Sequence, residues 1–185
     1  HDLVKSGVIG TPAAARTRRG GLAPTGSDSW FMDHSRSGGV IVDLATHDFD
    51  WLRWTLGEVT KLSARSVGAK TGMGPDYALT VLSFDCGAVA HVETTWMDPS
   101  GFRAMYDVSG SKGVIEYDSR LTPTVRTHVP GKSMNEAPLD PYDDPYYRQI
   151  SGFLKAVKEK TTPPVTGYDG AMAVAIAEAA LTSAK

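Results

Sequence analysis

From residue 59 to residue 129 the chain alternates apolar and polar side chains in short runs separated by turns, and no other pattern limits its fold as much. Alternation with a period of two is typical of half-buried strands. A Cys86-Gly87 turn and the glycine-bounded segment 110–113 join neighbouring runs closely enough for antiparallel pairing. The predicted strands span residues 59–67, 77–84, 88–96, 102–108, 114–117 and 121–129. The pattern therefore predicts an antiparallel meander.

Helical patterns stand before and after this meander. The predicted helices span residues 39–56, 146–160 and 169–184, a further strand spans 12–19, and loops span 20–37 and 130–145. Gly57 is expected to end the first helix, and the Asp169 carboxylate is expected to cap the last one. This order of elements predicts one α+β domain over residues 1–185, with an open, mainly antiparallel sheet and helices packed on one face. The other face is expected to be covered by a partner subunit.

The composition excludes several classes of protein. A formal net charge of −2 leaves no basic surface for nucleic acid, and the small cluster Arg16, Arg18 and Arg19 is interpreted as a solvated strand edge. One cysteine, Cys86, excludes an internal disulfide and a cysteine-based zinc site. No apolar stretch approaches the ~20 residues that span a membrane, and no signal peptide opens the chain. A cytoplasmic location is expected.

The segment 37–57 carries the residues with the clearest chemistry. At about 100° per residue its apolar side chains cover much of the helix circumference, so the helix is expected to be largely buried. Asp43, His47 and Asp50 lie together on a strip about 60° wide. A carboxylate one turn from an imidazole orients the ring and favours its protonated form, which suits acid–base chemistry near neutral pH.

Other roles for these residues stay open at this point. An Asp/His pair at this spacing also serves as a structural hydrogen bond. It also fits two ligands of a metal ion, although no third ligand stands at a telling distance, and no metal site is predicted.

The segment S-G-G-V-I-V-D-L-A-T-H-D-F-D closely resembles the signature helix of the Gfo/Idh/MocA oxidoreductases, G-G-G-x-x-x-D-x-x-x-H-x-x-D. The glycine pair, Asp43, His47 and Asp50 match, and Ser37 replaces the first glycine. Further pieces resemble the family in the same order along nearly the whole chain: K-S-G-V-I-G, W-F-M-D-H-S-R-S-G-G, F-D-C-G-A-V-A-H-V, V-S-G-S-K-G-V-I-E-Y-D and P-P-V-T-G-Y-D-G-A-M-A-V-A-I-A-E-A-A. The resemblance implies the C-terminal, substrate-binding and oligomerisation domain of such an enzyme.

The resemblance also implies a reaction, in which a hydroxyl-bearing carbon of a sugar or polyol gives hydride to NAD or NADP. His47 is then the acid/base, alone or with a lysine of the preceding domain, and Asp43 orients it and binds substrate. Asp50 is expected to have a packing or salt-bridge role. Trp30 and Asp33 lie where the family lines its pocket, and Trp96 and Tyr146 are candidates for an aromatic wall against a sugar face. For these four, ordinary packing is an equally good explanation.

Two elements of the family are missing from the sequence. No G-x-G-x-x-G follows a strand, so the Rossmann domain that binds most of the cofactor is expected to lie outside this chain. The family's E-K-P segment with its lysine is missing too. Because the chain begins at His1 and ends inside a helical pattern, we expect a fragment that is inactive by itself and whose parent forms a homodimer or homotetramer through the sheet face. The alternatives are a non-catalytic ligand-binding or dimerisation module, and a metal-assisted hydrolase or isomerase for which ligands are lacking.

Overall fold

The computed structural model describes residues 1–24, 30–68, 76–121, 124–136 and 144–184. The helices are α1 (Asp2–Lys5), α2 (His34–Ser37), α3 (Gly39–Asp43), α4 (Ala45–Leu56), α5 (Pro145–Glu159) and α6 (Gly167–Ala184), with a 3-10 turn at Trp30–Met32. The strands are β1 (Pro12–Gly20), β2 (Val59–Val67), β3 (Tyr77–Phe84), β4 (Val89–Thr95), β5 (Arg103–Gly110), β6 (Gly113–Asp118), β7 (Val125–Val129) and β8 (Lys132–Glu136).

The strands form one open sheet in the order β2-β3-β4-β1-β5-β6-β7-β8. Every neighbouring pair is antiparallel except β1 and β4, which are parallel. The predicted α+β class and the mainly antiparallel sheet are thereby confirmed. The meander is divided into two halves, and the first strand of the chain joins them.

Helices α4 and α6 cover one face of this sheet. Phe49 and Leu52 of α4 and Ala177 of α6 are completely buried, as is Leu82 of β3. Alternate residues of β3 and β4 point into this core, because successive side chains of a strand face opposite ways. The alanines of α6 let the helix approach the sheet closely. Helices α4 and α6 therefore lie on one face of the sheet, as predicted.

The predicted helix 39–56 is interrupted at one residue. Leu44, with φ −104° and ψ −50°, separates α3 from α4. Its amide still bonds to Val40 O at 3.1 Å, while the His47 amide bonds back to Leu44 O at 3.3 Å, a tighter i to i−3 contact. Gly57 ends α4, as predicted, at a φ of 113°.

The prediction of a solvated strand edge for the arginine cluster is wrong. Strand β1 lies in the middle of the sheet, between β4 and β5. Arg16 pairs with Asp107 at 2.9 Å, and Arg19 is only 16% exposed beside buried Asp48. Long-range pairing of β1 decided its position, and a local basic pattern carries no information about such pairing.

Two further boundaries differ from the prediction. Strand β8 lies in the part of the predicted 130–145 loop that the structure describes, where it pairs with β7. Helix α6 begins at Gly167, because Thr166 and Asp169 form a reciprocal capping box: Thr166 N donates to Asp169 Oδ2 at 2.9 Å, and Asp169 N donates to Thr166 Oγ1 at 3.3 Å.

Helix α5 confirms the prediction over 146–160 but leaves its apolar face in solvent. Ile150, Phe153, Leu154 and Val157 are all exposed, and Ala156 is buried. No helix among the described residues combines the length and hydrophobicity that a bilayer-spanning segment requires.

Candidate active site

The site is built on the start of α3. Gly38 and Gly39 have φ angles of 72° and 66°, a left-handed conformation that favours glycine. The amide of the second residue of α3, Val40 N, donates to Asp76 Oδ2 at 3.0 Å. A carboxylate from just before β3 thus satisfies an amide that the helix itself leaves unpaired.

Asp43 ends α3 and is half-buried. Burial raises the pKa of its carboxyl, and the negative charge of Asp76 acts in the same direction. The Trp96 indole and His47 oppose that rise by stabilising the carboxylate. Asp76 therefore destabilises the charged form of Asp43, whereas Trp96 and His47 stabilise it.

His47 lies in the first turn of α4 with its imidazole exposed. The charges of three carboxylates, Asp43, Asp48 and Asp50, interact with this ring. None of the hydrogen bonds among the described residues joins Asp43 to His47, so their coupling is electrostatic. A solvent-reachable imidazole beside carboxylates can take a proton from a bound hydroxyl group.

Aromatic rings continue from Asp43 along one side. Trp96 is 7% exposed, and its buried indole nitrogen makes no hydrogen bond of ordinary geometry in the described part of the chain. The Phe31 ring meets Trp96 edge-on at 6.5 Å between centroids, and Trp30 stacks on Phe31 at 4.3 Å. The structure thus brings Trp96 to Asp43 directly and Trp30 through Phe31.

The other two predicted substrate residues have different surroundings. The Asp33 carboxylate caps α2, accepting from Ser35 N at 2.9 Å and from Ser35 Oγ at 2.7 Å. These bonds hold the pKa of Asp33 below its usual range. Tyr146 is 72% exposed in the first turn of α5. The contacts described for these two residues do not join either of them to Asp43 or His47.

Beneath His47 lies a buried ion pair that the sequence analysis missed. Asp48, fully buried, accepts from Arg19 Nε at 2.9 Å. Arg19 also donates to the Tyr106 hydroxyl, and Tyr106 packs on Trp51 with ring centroids 4.6 Å apart. Burial, followed by the charge of Asp48, raises the pKa of the Tyr106 phenol above its usual range. The pair fastens α4 to the central strand.

A signal for Asp48 exists in the helical pattern. At about 100° per residue it lies roughly 20° from Ile41, at the margin of the apolar stripe. A carboxylate at that position requires a buried cation, and β1 supplies Arg19. Asp76 had no comparable signal, because its partners on α3 lie far away in sequence.

Asp50 is half-buried near Arg53 and Asp169. Burial, with repulsion from Asp169, raises the pKa of the Asp50 carboxyl, and Arg53 opposes this rise. Arg53 itself bonds to Asp169 at 3.0 Å and to Glu58 at 2.7 Å. Asp50 thus belongs to the charged group that connects α4 to the start of α6.

Comparison with known proteins agrees with the resemblance in the sequence. The family model described as GFO/IDH/MocA C-terminal domain matches residues 1–116. An uncharacterized oxidoreductase of Bacillus subtilis, YrbE, is 32% identical over 98% of this chain and 55% of its own length. Myo-inositol 2-dehydrogenase of Thermotoga maritima is 32% identical over 98% of this chain and 56% of its own length. The chain thus spans about half the length of these relatives.

Solved structures share the fold. A probable dehydrogenase from Thermotoga maritima superposes with a TM-score of 0.76 at 31% identity, over 98% of this chain and 57% of the other. Levoglucosan dehydrogenase in complex with NADH and levoglucosan superposes with a TM-score of 0.85 at 21% identity, over 99% of this chain and 59% of the other. At that lower identity the likeness concerns the fold alone.

Proposed function

We infer that this chain, which belongs to the GFO/IDH/MocA family, is the substrate-binding and oligomerisation domain of an NAD(P)-dependent oxidoreductase acting on the CH–OH group of a sugar or polyol. The observation that carries this proposal is the exposed imidazole of His47 beside half-buried Asp43. Its relatives include inositol and xylose dehydrogenases, which supports the substrate class.

His47 is proposed to move the proton. As the substrate hydroxyl becomes a carbonyl, an imidazole nitrogen of His47 accepts the O–H proton, and in the reverse direction it returns that proton. Asp43, Asp48 and Asp50 are the carboxylates whose charges interact with His47. Asp43 is proposed to hold the ring and to accept a hydrogen bond from a second hydroxyl of the substrate.

The cofactor supplies hydride chemistry when bound. We propose that NAD or NADP is held mainly by a separate dinucleotide-binding domain, because the sequence contains no glycine-rich strand-to-helix turn for a pyrophosphate. The Asp43 and His47 pair fits the complementary task, which is to take the hydroxyl proton. The chain alone is then expected to be inactive.

The sheet face opposite α4 and α6 is the proposed oligomer surface. Leu79 and Val89 are 39% and 38% exposed there, beside Glu93, Arg18 and Arg16. Apolar side chains among charges that already have partners suit an interface between identical subunits, a homodimer or homotetramer. Light scattering after size exclusion tests this: Leu79→Glu with Val89→Glu is expected to yield monomers, whereas Val165→Glu, in the loop before α6, is expected to leave the assembly intact.

Steady-state kinetics of the full-length enzyme test the reaction, using NAD and NADP with a panel of inositols and aldoses. His47→Ala is expected to lower kcat about 100-fold or more, while cofactor affinity changes little. The control is Lys158→Ala, because Lys158 is exposed on α5, which carries neither Asp43 nor His47 nor any residue of the proposed oligomer surface. Unchanged turnover in His47→Ala would remove His47 from the reaction, and absence of dinucleotide reduction with every polyol would favour a non-catalytic binding or dimerisation module.

A further inference from the structure

Asp76, just before β3, contacts both structures that flank Asp43. Its side-chain Oδ2 accepts from Val40 N at 3.0 Å and so holds the first turn of α3, the helix that ends at Asp43. Its backbone oxygen accepts from Trp96 N at 2.9 Å and from Thr95 Oγ1 at 3.2 Å. One residue thereby sets the distance between the Asp43 helix and the Trp96 indole.

The surroundings of Asp76 are unusual for a residue with only a structural task. The residue is 7% exposed, and its second oxygen, Oδ1, is buried and has no hydrogen bond to any residue that the structure describes. His34 Nε2 lies 3.3 Å from Oδ2, so an imidazole stands beside the carboxylate. A carboxylate used only as a cap does not require a buried free oxygen, which destabilises the fold.

The glycine at residue 39 makes the contact possible. A Cβ atom there would collide with Asp76 Oδ2, so any larger residue would push the carboxylate away from Val40 N. The second glycine of the sequence motif therefore has a steric reason, in addition to its left-handed φ of 66°.

We propose that Asp76 is a positioning residue of the Asp43 and His47 site, fixing α3 and Trp96 on either side of Asp43 and placing a second negative charge near its carboxyl. The catalytic consequence rests on the proposed function, but the effect on Asp43 does not. The charged and titratable groups facing this region are His47 from α4, Asp76 itself, and His34 from α2, which pairs with Asp76.

The charge of Asp76 is one of the causes that raise the pKa of Asp43, so its removal has a defined sign. Asp76→Asn keeps a carbonyl oxygen for Val40 N and removes the charge. In that variant Asp43 is expected to titrate at lower pH than in wild type. Asp76→Ala removes the cap as well, and amide exchange of Val40 is expected to accelerate at least tenfold over Asp76→Asn.

The experiment is a carboxyl carbon NMR titration of the full protein labelled at aspartate, with Asp43→Asn assigning the resonance. Asp107→Asn is the matched control, since Asp107 is equally buried but pairs with Arg16 on the other sheet face. An unchanged Asp43 titration in Asp76→Asn, or the same change in Asp107→Asn, overturns the proposal. The Asn variant decides the matter even if Asp76→Ala does not fold.

Kinetics separate this proposal from the proposed function. If both hold, Asp76→Asn moves the Asp43 titration, and Asp43→Asn strongly lowers kcat/KM of the full-length enzyme. If the Asp43 titration moves in Asp76→Asn while Asp43→Asn keeps the wild-type kcat/KM, the positioning role stands and the catalytic role of Asp43 fails.

Discussion

Arg19 on the central strand and Asp48 on the helix that carries His47 form an ion pair with an Nε–Oδ2 distance of 2.9 Å. The Asp48 side chain is completely buried, and Arg19 is 16% exposed. The pair ties α4 to β1, so the position of His47 depends on a contact made by the next residue of its own helix.

Asp48→Ala is expected to lower the free energy of unfolding by about 3–5 kcal/mol, because it leaves the Arg19 charge buried without its partner. Chemical denaturation monitored by circular dichroism measures the loss. The control is the exposed pair of Glu116 and His128. There, Glu116→Gln is expected to lower the free energy of unfolding by less than about 1 kcal/mol.

The double variant Arg19→Met with Asp48→Leu is expected to recover most of that loss, since apolar side chains of similar volume need no compensating charge. A double variant as unstable as Asp48→Ala would contradict the assignment of the loss to an unpaired charge.

Gly39→Ala is expected to be much more damaging than Gly131→Ala. Both glycines have positive φ, 66° and 74°, so alanine is strained by about 1 kcal/mol at each. A Cβ at Gly39 also collides with Asp76, whereas nothing lies within 4 Å of one at Gly131. We expect overpacking to add about 1–3 kcal/mol at Gly39. Urea denaturation of the two variants measures the difference, and equal losses would argue against the close contact.

The Asp169 carboxylate is expected to make stability depend on acidity. Bonds from Thr166, with Arg53 nearby, lower the pKa of Asp169 to about 2. Because the folded-state pKa lies below the unfolded value of about 3.9, this stabilisation is complete above pH ~4 and is lost as the pH falls towards 2. In Asp169→Asn the melting temperature is therefore expected to change less with pH in that window than it does in wild type. Asp2→Asn, whose side chain is fully exposed, is the control and is expected to keep the wild-type slope.

Trp96→Phe is expected to move the Asp43 titration to higher pH. The indole lowers the pKa of Asp43, so the Asp43 titration should move in the direction opposite to that in Asp76→Asn. The phenylalanine ring at position 96 is expected to keep the aromatic contact with Phe31. Carboxyl NMR reads both variants on the same resonance. A downward movement in Trp96→Phe would show that the indole does not stabilise the carboxylate.

Local patterns predicted most of the elements. Alternation and turns located the strands from Val59 to Val129, and the apolar spacing of α5 located that helix, because both signals arise from neighbouring residues. The central place of β1 arises from contacts between residues far apart in sequence, for which a single sequence carries no periodic signal.

The site divides in the same way. Asp43 and His47 stand out because both are polar residues one turn apart on an apolar helix. Asp76, which caps the helix that carries Asp43, and Arg19, which pairs with Asp48, come from strand ends elsewhere in the chain, and only the folded sheet brings them near. A buried role for Asp48 can be predicted from the sequence, because a charged residue lies there at the margin of an apolar stripe.

The single parallel pairing, β1 with β4, affects how the protein assembles. The segments β2–β4 and β5–β8 each pair through strands that follow one another in sequence, whereas β1 pairs with one strand from each segment. Without β1, β4 and β5 would each present an unpaired edge, the kind that recruits strands from other molecules. One strand, remote in sequence from β4 and β5, thus protects both of these edges from intermolecular pairing.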